Sequence, residues 1–238
     1  YNEITLYDVS TKMQKKVKID KWQDQQMRIL HSDTKANKLY LERRNRRNTM
    51  LDVCEVDLST GDVKVIIHEE GDPYIGIELA SITFLNDYKD IIWWSERTGH
   101  GHLYHYDGEG NLKNVITSGN WTAGKVVSID EKNRTVYFQA YGVTPGENPS
   151  YAKICKANVD GKGKMVVLTP EEATHNVIFC PSKRYIIDAF SRPDLPYQFT
   201  VRDTRRGDLV LKLSELDLND MYKQGWKMPE TFSVKAAD

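Results

Sequence analysis

The chain has few cysteines, and none of them forms a recognisable metal-binding pattern. Of its 238 residues only Cys54, Cys155 and Cys180 are cysteines, and no two of them make a C-x-x-C pair. Their wide spacing argues against a structural zinc site, and an odd number cannot pair completely. We therefore expect buried free thiols. Three free thiols do not indicate the cellular compartment of the protein.

Long hydrophobic runs and an excess of charge are also missing. No apolar run approaches the roughly 20 residues that a membrane-spanning helix needs, so no membrane span is expected. The 33 lysines and arginines nearly balance the 34 aspartates and glutamates, which predicts no general affinity for nucleic acid. The start, YNEITLYDV, has no signal-peptide pattern and no Met, which favours a segment of a longer chain.

What the chain does contain is a repeated strand–turn motif. In residues 91–107, IIWWSERTGHGHLYHYD, two strands of aromatic and β-branched residues flank a turn of Ser, Gly and charged residues. A related third strand and turn recurs at steps of 49, 50, 51 and 45 residues. The turns open at Asp8, Asp57, Asp107, Asn158 and Asp203. An Asp or Asn that caps a turn, with Gly soon after it, predicts a hairpin at each position.

Strand-like stretches around this motif, among them the fourth-strand stretch 164–169, KMVVLT, give four strands per repeat. Four strands in about 40–50 residues are typical of a β-propeller blade. We therefore predict an all-β propeller fragment of four near-complete, four-stranded blades plus part of another. The blades are expected at 22–70, 77–120, 124–173 and 175–218, with the partial blade at 1–20. An immunoglobulin-type sandwich is the all-β alternative, but it does not explain a repeat of about 50 residues.

Helical periodicity is nearly absent. Only residues 215–224, ELDLNDMYKQ, are expected to form a short helix, with Ser214 as its N-cap.

Three stretches combine strands and turns in a distinctive order. Residues 39–70 contain a strand, an Arg/Asn-rich loop and a strand that runs into Asp and a Ser-Thr-Gly turn. Residues 82–121 contain an aromatic strand, Ser-Glu-Arg, Gly, His-Leu-Tyr and Thr-x-Gly-x-Trp in that order, and residues 136–161 have an enlarged middle turn. These stretches resemble the propeller of the dipeptidyl peptidase IV family, in its bacterial form, within the prolyl oligopeptidase-type serine peptidases. Residues 225–238 resemble that family's passage into an α/β-hydrolase domain.

The resemblance implies the propeller segment of a periplasmic or secreted serine dipeptidyl peptidase. Such an enzyme releases N-terminal Xaa-Pro or Xaa-Ala dipeptides, and its eight-bladed propeller admits short, unblocked N-termini. Residues 1–224 would be the partial propeller, and 225–238 a linker towards a missing α/β-hydrolase domain. The peptide substrate would bind through that domain, without a cofactor, and the parent would be a homodimer. A non-enzymatic propeller that binds a peptide, glycan or protein is the alternative.

No catalytic residue is expected within the chain itself. The nucleophile elbow G-x-S-x-G does not occur in the sequence, and the resemblance places Ser, Asp and His downstream of Asp238. It also places the paired glutamates that bind the substrate amine before Tyr1. Glu69 and Glu70 are adjacent, but we expect them to lie in a solvent turn. The linker 72–80 offers Tyr74 and Glu78 without the Arg that some members place there, so no substrate-binding residue is assigned.

The remaining polar clusters are interpreted as structural. His100, His102 and His105 lack the ligands that would complete a metal site, so a hairpin tip is the preferred interpretation. A solvated loop is preferred to a nucleic-acid patch for the basic run, which consists of Arg43, Arg44, Arg46 and Arg47.

Two tryptophans and two possible glycosylation sites also stand out in the sequence. Trp93 and Trp94 point to opposite faces of one strand, where packing between neighbouring blades is the default. Asn120 and Asn133 fit the N-x-[ST] pattern, but no modification is assigned.

Because a ring fragment leaves the faces of its terminal blades uncovered, we also expect the segment to be marginally stable or to self-associate.

Overall fold

The computed structural model describes residues 2–235 and is all-β, as predicted. Tyr1 and residues 236–238, the outer ends of the predicted partial blade and linker, lie outside that range. Within the described residues the strands form one two-stranded and four four-stranded antiparallel sheets. In each sheet the strands pair in sequence order, which is the meander that a four-strand repeat predicts.

Tyr1–Val115 is one compact unit, with three of these sheets. Strands β1 (Thr5–Asp8) and β2 (Met13–Lys16) form a hairpin. The first four-stranded sheet consists of β3 (Gln26–Asp33), β4 (Lys38–Arg44), β5 (Met50–Asp57) and β6 (Val63–Glu70). The second consists of β7 (Ile82–Leu85), β8 (Asp90–Ser95), β9 (His102–Asp107) and β10 (Leu112–Val115).

Ile116–Asp238 is the other compact unit. Its first sheet consists of β11 (Thr122–Asp130), β12 (Thr135–Tyr141), β13 (Ala152–Asn158) and β14 (Val166–Val167). Its second sheet consists of β15 (Thr174–Phe179), β16 (Tyr185–Arg192), β17 (Leu195–Asp203) and β18 (Leu209–Glu215). A single-turn helix, α1 (Asn219–Lys223), follows. In the described part of the chain, no helix is long and apolar enough to span a membrane.

Apolar residues on facing sides hold neighbouring sheets together. In the first unit Val53 and Ile66 pack with Ile91, Trp93 and Tyr104 of the next sheet. In the second unit Tyr137 of β12, Ile154 of β13 and Leu168, directly after β14, pack with Val177 of β15 and Ile186 of β16. Burial of apolar surface at about 25 cal/mol per Å² is the main force that stabilises such contacts. Trp93 therefore packs between sheets as predicted, and Trp94 is buried as well.

Each third-to-fourth turn is capped by its opening Asp or Asn. The Oδ1 atom accepts a hydrogen bond from the backbone N–H two residues later, at 2.7–3.0 Å. This contact occurs at Asp8, Asp57, Asp107, Asn158 and Asp203. The predicted hairpin chemistry is confirmed.

Glycines in these turns also touch the preceding sheet. Gly110 has a φ of 91°, and a Cβ there would lie 2.1 Å from the backbone oxygen of Ile66. Gly207 has a φ of 80°, and a Cβ there would lie 2.4 Å from the backbone oxygen of Leu168. Glycine is required at these positions because the φ is positive and the backbones are so close.

Two local predictions differ from the structure. Strand β14 is shorter than the predicted stretch 164–169, because the Ile154 N–H donates to Thr169 Oγ1 at 2.8 Å instead of to a strand carbonyl. A short helix forms within the predicted residues 215–224, but the predicted N-cap, Ser214, is wrong. Ser214 pairs with Phe199 inside β18, and the helix begins at Asn219 without a side-chain cap. Sheet pairing has overridden the local capping signal.

Candidate functional site

Glu69 lies in β6, and its buried carboxylate contacts three residues from β8 and the turn after it. Its Oε1 accepts from Trp93 Nε1 at 2.9 Å, and its Oε2 accepts from Ser95 Oγ at 2.9 Å. The carboxylate also pairs with the Arg97 guanidinium. The prediction of a solvent turn is therefore wrong, because both glutamates lie in β6; Glu69 is 7% exposed, and only the Glu70 side chain, 73% exposed, faces solvent as expected. Three donors offset the cost of burying the Glu69 charge.

Arg97 is held by aromatic rings as well as by Glu69. Its guanidinium carbon lies 4.6 Å from the ring centroid of Tyr104 and 5.8 Å from that of Tyr106. Its Nε donates to Ser95 Oγ at 3.0 Å. Burial is the main cause that raises the pKa of Tyr106 above its ordinary value. A stacked, ion-paired arginine of this kind is fixed in place.

A cavity of about 420 Å³ opens beside this cluster. Carboxylates of Glu70, Asp72 and Glu96 line it together with Tyr74, which is 65% exposed. Glu96 also accepts a hydrogen bond from the Gly76 N–H at 2.9 Å, which fixes the linker 72–80 against the β8–β9 turn. Because four acidic residues, including Glu69, and one arginine, Arg97, line the cavity, it suits cationic or hydrogen-bond-donating groups. Glu78 is exposed and does not line this cavity.

The three histidines of the β8–β9 hairpin occupy different environments. His100 lies in the exposed turn, as predicted, whereas His102 and His105 are buried in β9. His105 Nε2 lies 2.8 Å from Asp90 Oδ1, and its Nδ1 lies 3.0 Å from Asn114 Oδ1. The hairpin-tip interpretation is therefore too simple for two of them. They do not belong to any group of potential metal ligands found in the described residues.

The basic run is divided between strand and turn. Arg43 and Arg44 belong to β4, and only Arg46 and Arg47 lie in an exposed turn. Arg43 is buried, with one guanidinium nitrogen 2.5 Å from Asp52 Oδ2 and its carbon 3.9 Å from the Trp22 ring centroid. The solvated-loop prediction is wrong for these two strand residues. Four of the five residues 43–47 are arginines, and this hid the alternation of polar and apolar residues that would have indicated a strand.

His68 shares the Asp52 carboxylate with Arg43. Its Nδ1 lies 2.6 Å from Asp52 Oδ1, and this hydrogen bond is the largest cause that raises the pKa of His68. Asp52 is 2% exposed, and its contacts with Arg43 and His68 offset the cost of burying its carboxylate.

One group of potential metal ligands occurs in the described residues, and the sequence had not indicated it. Glu171, His175 and Asp188 bring their ligand atoms within 4.8 Å of one another. Arg202 pairs with both carboxylates, and its Nε lies 3.0 Å from Asp188 Oδ2. The guanidinium therefore supplies the positive charge that a metal would bring. The four residues come from a linker and three strands, so no local motif could reveal them.

The three thiols are free, but they are not equivalent. Cys54 and Cys155 are buried, and burial raises the pKa of each to about 12. Cys180 is partly exposed, and its pKa is lowered, chiefly by the Ser182 hydroxyl 3.1 Å away. The expectation of buried thiols holds for two of the three. Of the two sequon residues, Asn120 is exposed, and Asn133 donates to Asp130 Oδ2 at 2.7 Å.

Comparison with known proteins identifies related chains. Residues 3–197 match the family described as "Dipeptidyl peptidase IV (DPP IV) N-terminal region". A probable dipeptidyl peptidase 4 of Arthroderma benhamiae is 26% identical over 215 residues, which cover 80% of this chain and 26% of the relative. A dipeptidyl peptidase 4 of Trichophyton equinum is 25% identical over 210 residues, with the same coverage. The chain thus spans about a quarter of the length of these relatives.

Solved structures share the fold. Dipeptidyl peptidase 4 of Porphyromonas gingivalis superposes with a TM-score of 0.76 at 23% identity, covering 93% of this chain and 31% of that one. A putative dipeptidyl aminopeptidase IV of Bacteroides ovatus gives 0.73 at 21% identity, covering 92% and 33%. The predicted propeller-fragment fold is confirmed. Because the family match extends over most of its length, the chain belongs to the dipeptidyl peptidase IV N-terminal region family.

Proposed function

We propose that this chain is the substrate-admitting propeller segment of a serine dipeptidyl peptidase that releases N-terminal Xaa-Pro or Xaa-Ala dipeptides. The observation that carries the proposal is the family match over residues 3–197. The sequence contains no G-x-S-x-G elbow, so the segment contributes no nucleophile of its own. The Ser, Asp and His of the reaction belong to the hydrolase domain, where Ser attacks and His acts as base.

The segment's part in that reaction is to shape access to the catalytic serine. The cavity at Glu70, Asp72 and Glu96 supports such a role, because the unblocked N-terminus of a peptide is cationic and these side chains are anionic. The buried Glu69 is already saturated by three donors, so it holds Arg97 in place and does not bind the substrate amine.

Source, location and assembly are part of the same proposal. The parent is a bacterial, periplasmic or secreted homodimer. Two structural neighbours come from bacteria, whereas the named sequence relatives come from fungi. Cell fractionation and sedimentation of the natural full-length protein test location and assembly directly.

The deciding experiment compares the natural full-length protein with residues 1–238. We expect the full-length protein to hydrolyse a Gly-Pro chromogenic amide and to lose this activity on treatment with a serine-reactive phosphonate. Residues 1–238 alone should be inactive. A full-length protein without a nucleophile elbow that binds peptide or glycan without cleaving it would establish the non-enzymatic alternative.

A further inference from the structure

The last sheet, β15–β18, buries polar side chains and exposes apolar ones. Asp188 of β16 and Arg202 of β17 share the face of Ile186, which packs against the β11–β14 sheet, and both are buried. The opposite face, the outer face of the sheet, presents on these two strands Tyr185, Ile187, Ala189, Tyr197, Phe199 and Val201. A strand face that stays in water normally carries polar side chains. The composition of the outer face therefore suits burial against another surface.

Two positions of the repeat show how such a face is covered. Two residues after the start of the second strand, three of the sheets have Tyr40, Tyr137 and Ile187. Four residues before the turn-opening Asp or Asn, the same sheets have Val53, Ile154 and Phe199. The Tyr40 ring lies 4.5 Å from that of Phe84, and the Tyr137 ring lies 4.7 Å from that of Phe179, each in the next sheet. The equivalent Ile187 is instead 44% exposed.

The turn of each covering sheet also approaches a carbonyl of the sheet before it. The glycines Gly110 and Gly207 lie against the carbonyls of Ile66 and Leu168. Each of these two carbonyl residues directly follows the fourth-strand partner of the residue three before the turn-opening Asp or Asn. By the same register the matching residue of the last sheet is Leu213, which is 47% exposed. A turn that approaches Leu213 as closely needs glycine, because a Cβ would meet the carbonyl.

The first hairpin of the chain does not meet this requirement. Four residues after its turn-opening Asp8 it has Lys12, with a φ of 59°, where later turns have Gly61 and Gly207. The exposed face of its strands carries Thr5, Tyr7, Gln14 and Lys16. A second copy that stacked its first hairpin on the outer face would bring the Lys12 Cβ against the Leu213 carbonyl. Head-to-tail stacking of identical chains is therefore a poor fit.

We propose that the outer face of β15–β18 docks a further four-stranded sheet of the same repeat, whose third-to-fourth turn places a glycine against the Leu213 carbonyl. The sheet comes from the part of the parent chain outside residues 1–238, and for this source the inference rests on the proposed function. Residues 1–238 span about a quarter of the relatives. The incoming sheet buries Ile187 and Phe199, as neighbouring sheets bury Tyr40 and Tyr137.

The first test measures whether the outer face is covered in the natural full-length protein. Ile187→Cys is made on a Cys180→Ser background in that protein and in residues 1–238, diluted until the shorter chain is monomeric. We expect a maleimide to react at least about tenfold more slowly with the full-length protein, because its sheet must first open. Lys132→Cys, in the exposed β11–β12 turn, is the control and should react equally in both. If Ile187→Cys does not fold, Tyr197→Cys, 46% exposed on the same face, replaces it.

Equal rates for Ile187→Cys in the two chains would overturn the proposal, and so would slow labelling of residues 1–238 that persists on dilution. Hydrolysis of the Gly-Pro amide by the same full-length sample reports the proposed function separately. An active protein with an open outer face would refute the docked sheet alone. An inactive protein with a protected outer face would refute the peptidase alone.

The second test asks whether a second copy covers the outer face instead. Lys12→Cys with Leu213→Cys, on the Cys180→Ser background of residues 1–238, is oxidised to trap head-to-tail contacts. We expect no more disulfide-linked oligomer than from the matched control, Lys132→Cys with Leu213→Cys. A clear excess over the control would identify a second copy as the occupant and would refute the glycine requirement.

Discussion

The carboxylate of Glu69 accepts a hydrogen bond from the indole of Trp93 at 2.9 Å, and the bond joins two neighbouring sheets. Replacing Glu69 by Ala would leave the indole, the Ser95 hydroxyl and the Arg97 guanidinium without their shared acceptor. We expect a loss of about 2–4 kcal/mol in the free energy of unfolding, as for other broken buried charge pairs. Urea denaturation measures it. Glu70→Ala, next in sequence but exposed, should change stability by less than about 0.5 kcal/mol. Equal effects of the two substitutions would contradict the role of Glu69.

Two turn glycines allow the effect of a close backbone contact on stability to be separated from the effect of a positive φ. Gly110 and Gly99 have φ values of 91° and 92°, but only Gly110 lies against another backbone, since a Cβ at Gly99 would meet nothing within 4 Å. Gly99→Ala should cost about 1–2 kcal/mol through its φ alone. Gly110→Ala should cost clearly more, because its Cβ would meet the Ile66 oxygen. Thermal unfolding of the two variants compares them, and similar melting temperatures would show that the contact at Gly110 is unimportant.

Thiol reactivity should follow the environments of the three cysteines. Cys180 is partly exposed and its pKa is lowered, whereas burial raises the pKa of Cys54 and Cys155 to about 12. Because the thiolate is the reactive form, a chromogenic disulfide reagent should label one thiol quickly in the native chain. Cys180→Ser should abolish this phase, and Cys54→Ser should leave it unchanged. Rapid labelling of two or three thiols in the native state would contradict the burial.

The His68–Asp52 contact predicts a dependence of stability on pH. The hydrogen bond to Asp52 raises the pKa of His68 above its ordinary value of 6.5. A raised pKa in the folded state means that the stabilisation is fully present below about pH 6.5 and is lost as the pH rises through the folded-state value. The difference in unfolding free energy between the natural chain and His68→Gln should therefore shrink between pH 5.5 and 8.5. His100→Gln should show no such trend, and a difference that grew with pH would reverse the assignment.

The outer face of the last sheet should drive self-association. The other face packs against the β11–β14 sheet, but Ile178, Ile187 and Leu211 are 71%, 44% and 53% exposed. Exposed apolar patches of this kind favour association. Ile178→Lys should shift sedimentation towards the monomer and reduce the binding of an apolar dye. Val9→Lys, at an 80% exposed turn position, serves as the control. A natural chain that is strictly monomeric and binds no dye would contradict this expectation.

Local features of this fold could be predicted from sequence because their determinants are adjacent. Asp57 caps its turn through the N–H groups of Ser59 and Thr60, and the β-branched and aromatic residues of 91–95 were enough to place a buried strand. The same local reasoning failed at Ser214, where pairing with Phe199 extends the strand past a plausible cap.

The ionic clusters could not be predicted because their members are distant in sequence. The donors to Glu69 lie 24, 26 and 28 residues away. His175, Asp188 and Arg202 come from three different strands. The burial of these charges depends on strand register and on sheet packing. Neither can be predicted from a short run of residues such as Glu69-Glu70 or the four arginines of the basic run.

The close approach of Gly110 and Gly207 to the preceding sheet distinguishes their turns from others in the repeat. These two third-to-fourth turns lie against a neighbouring backbone, so an added residue there would push two sheets apart, whereas a Cβ at Gly163, in the β13–β14 turn, would meet nothing within 4 Å. The second-to-third turns have no such neighbour at Gly99 or Gly146, and their lengths already range from residues 193–194 to residues 142–151. New binding loops can therefore be grafted, by evolution or by design, at Gly99 or Gly146 without a clash against a neighbouring backbone.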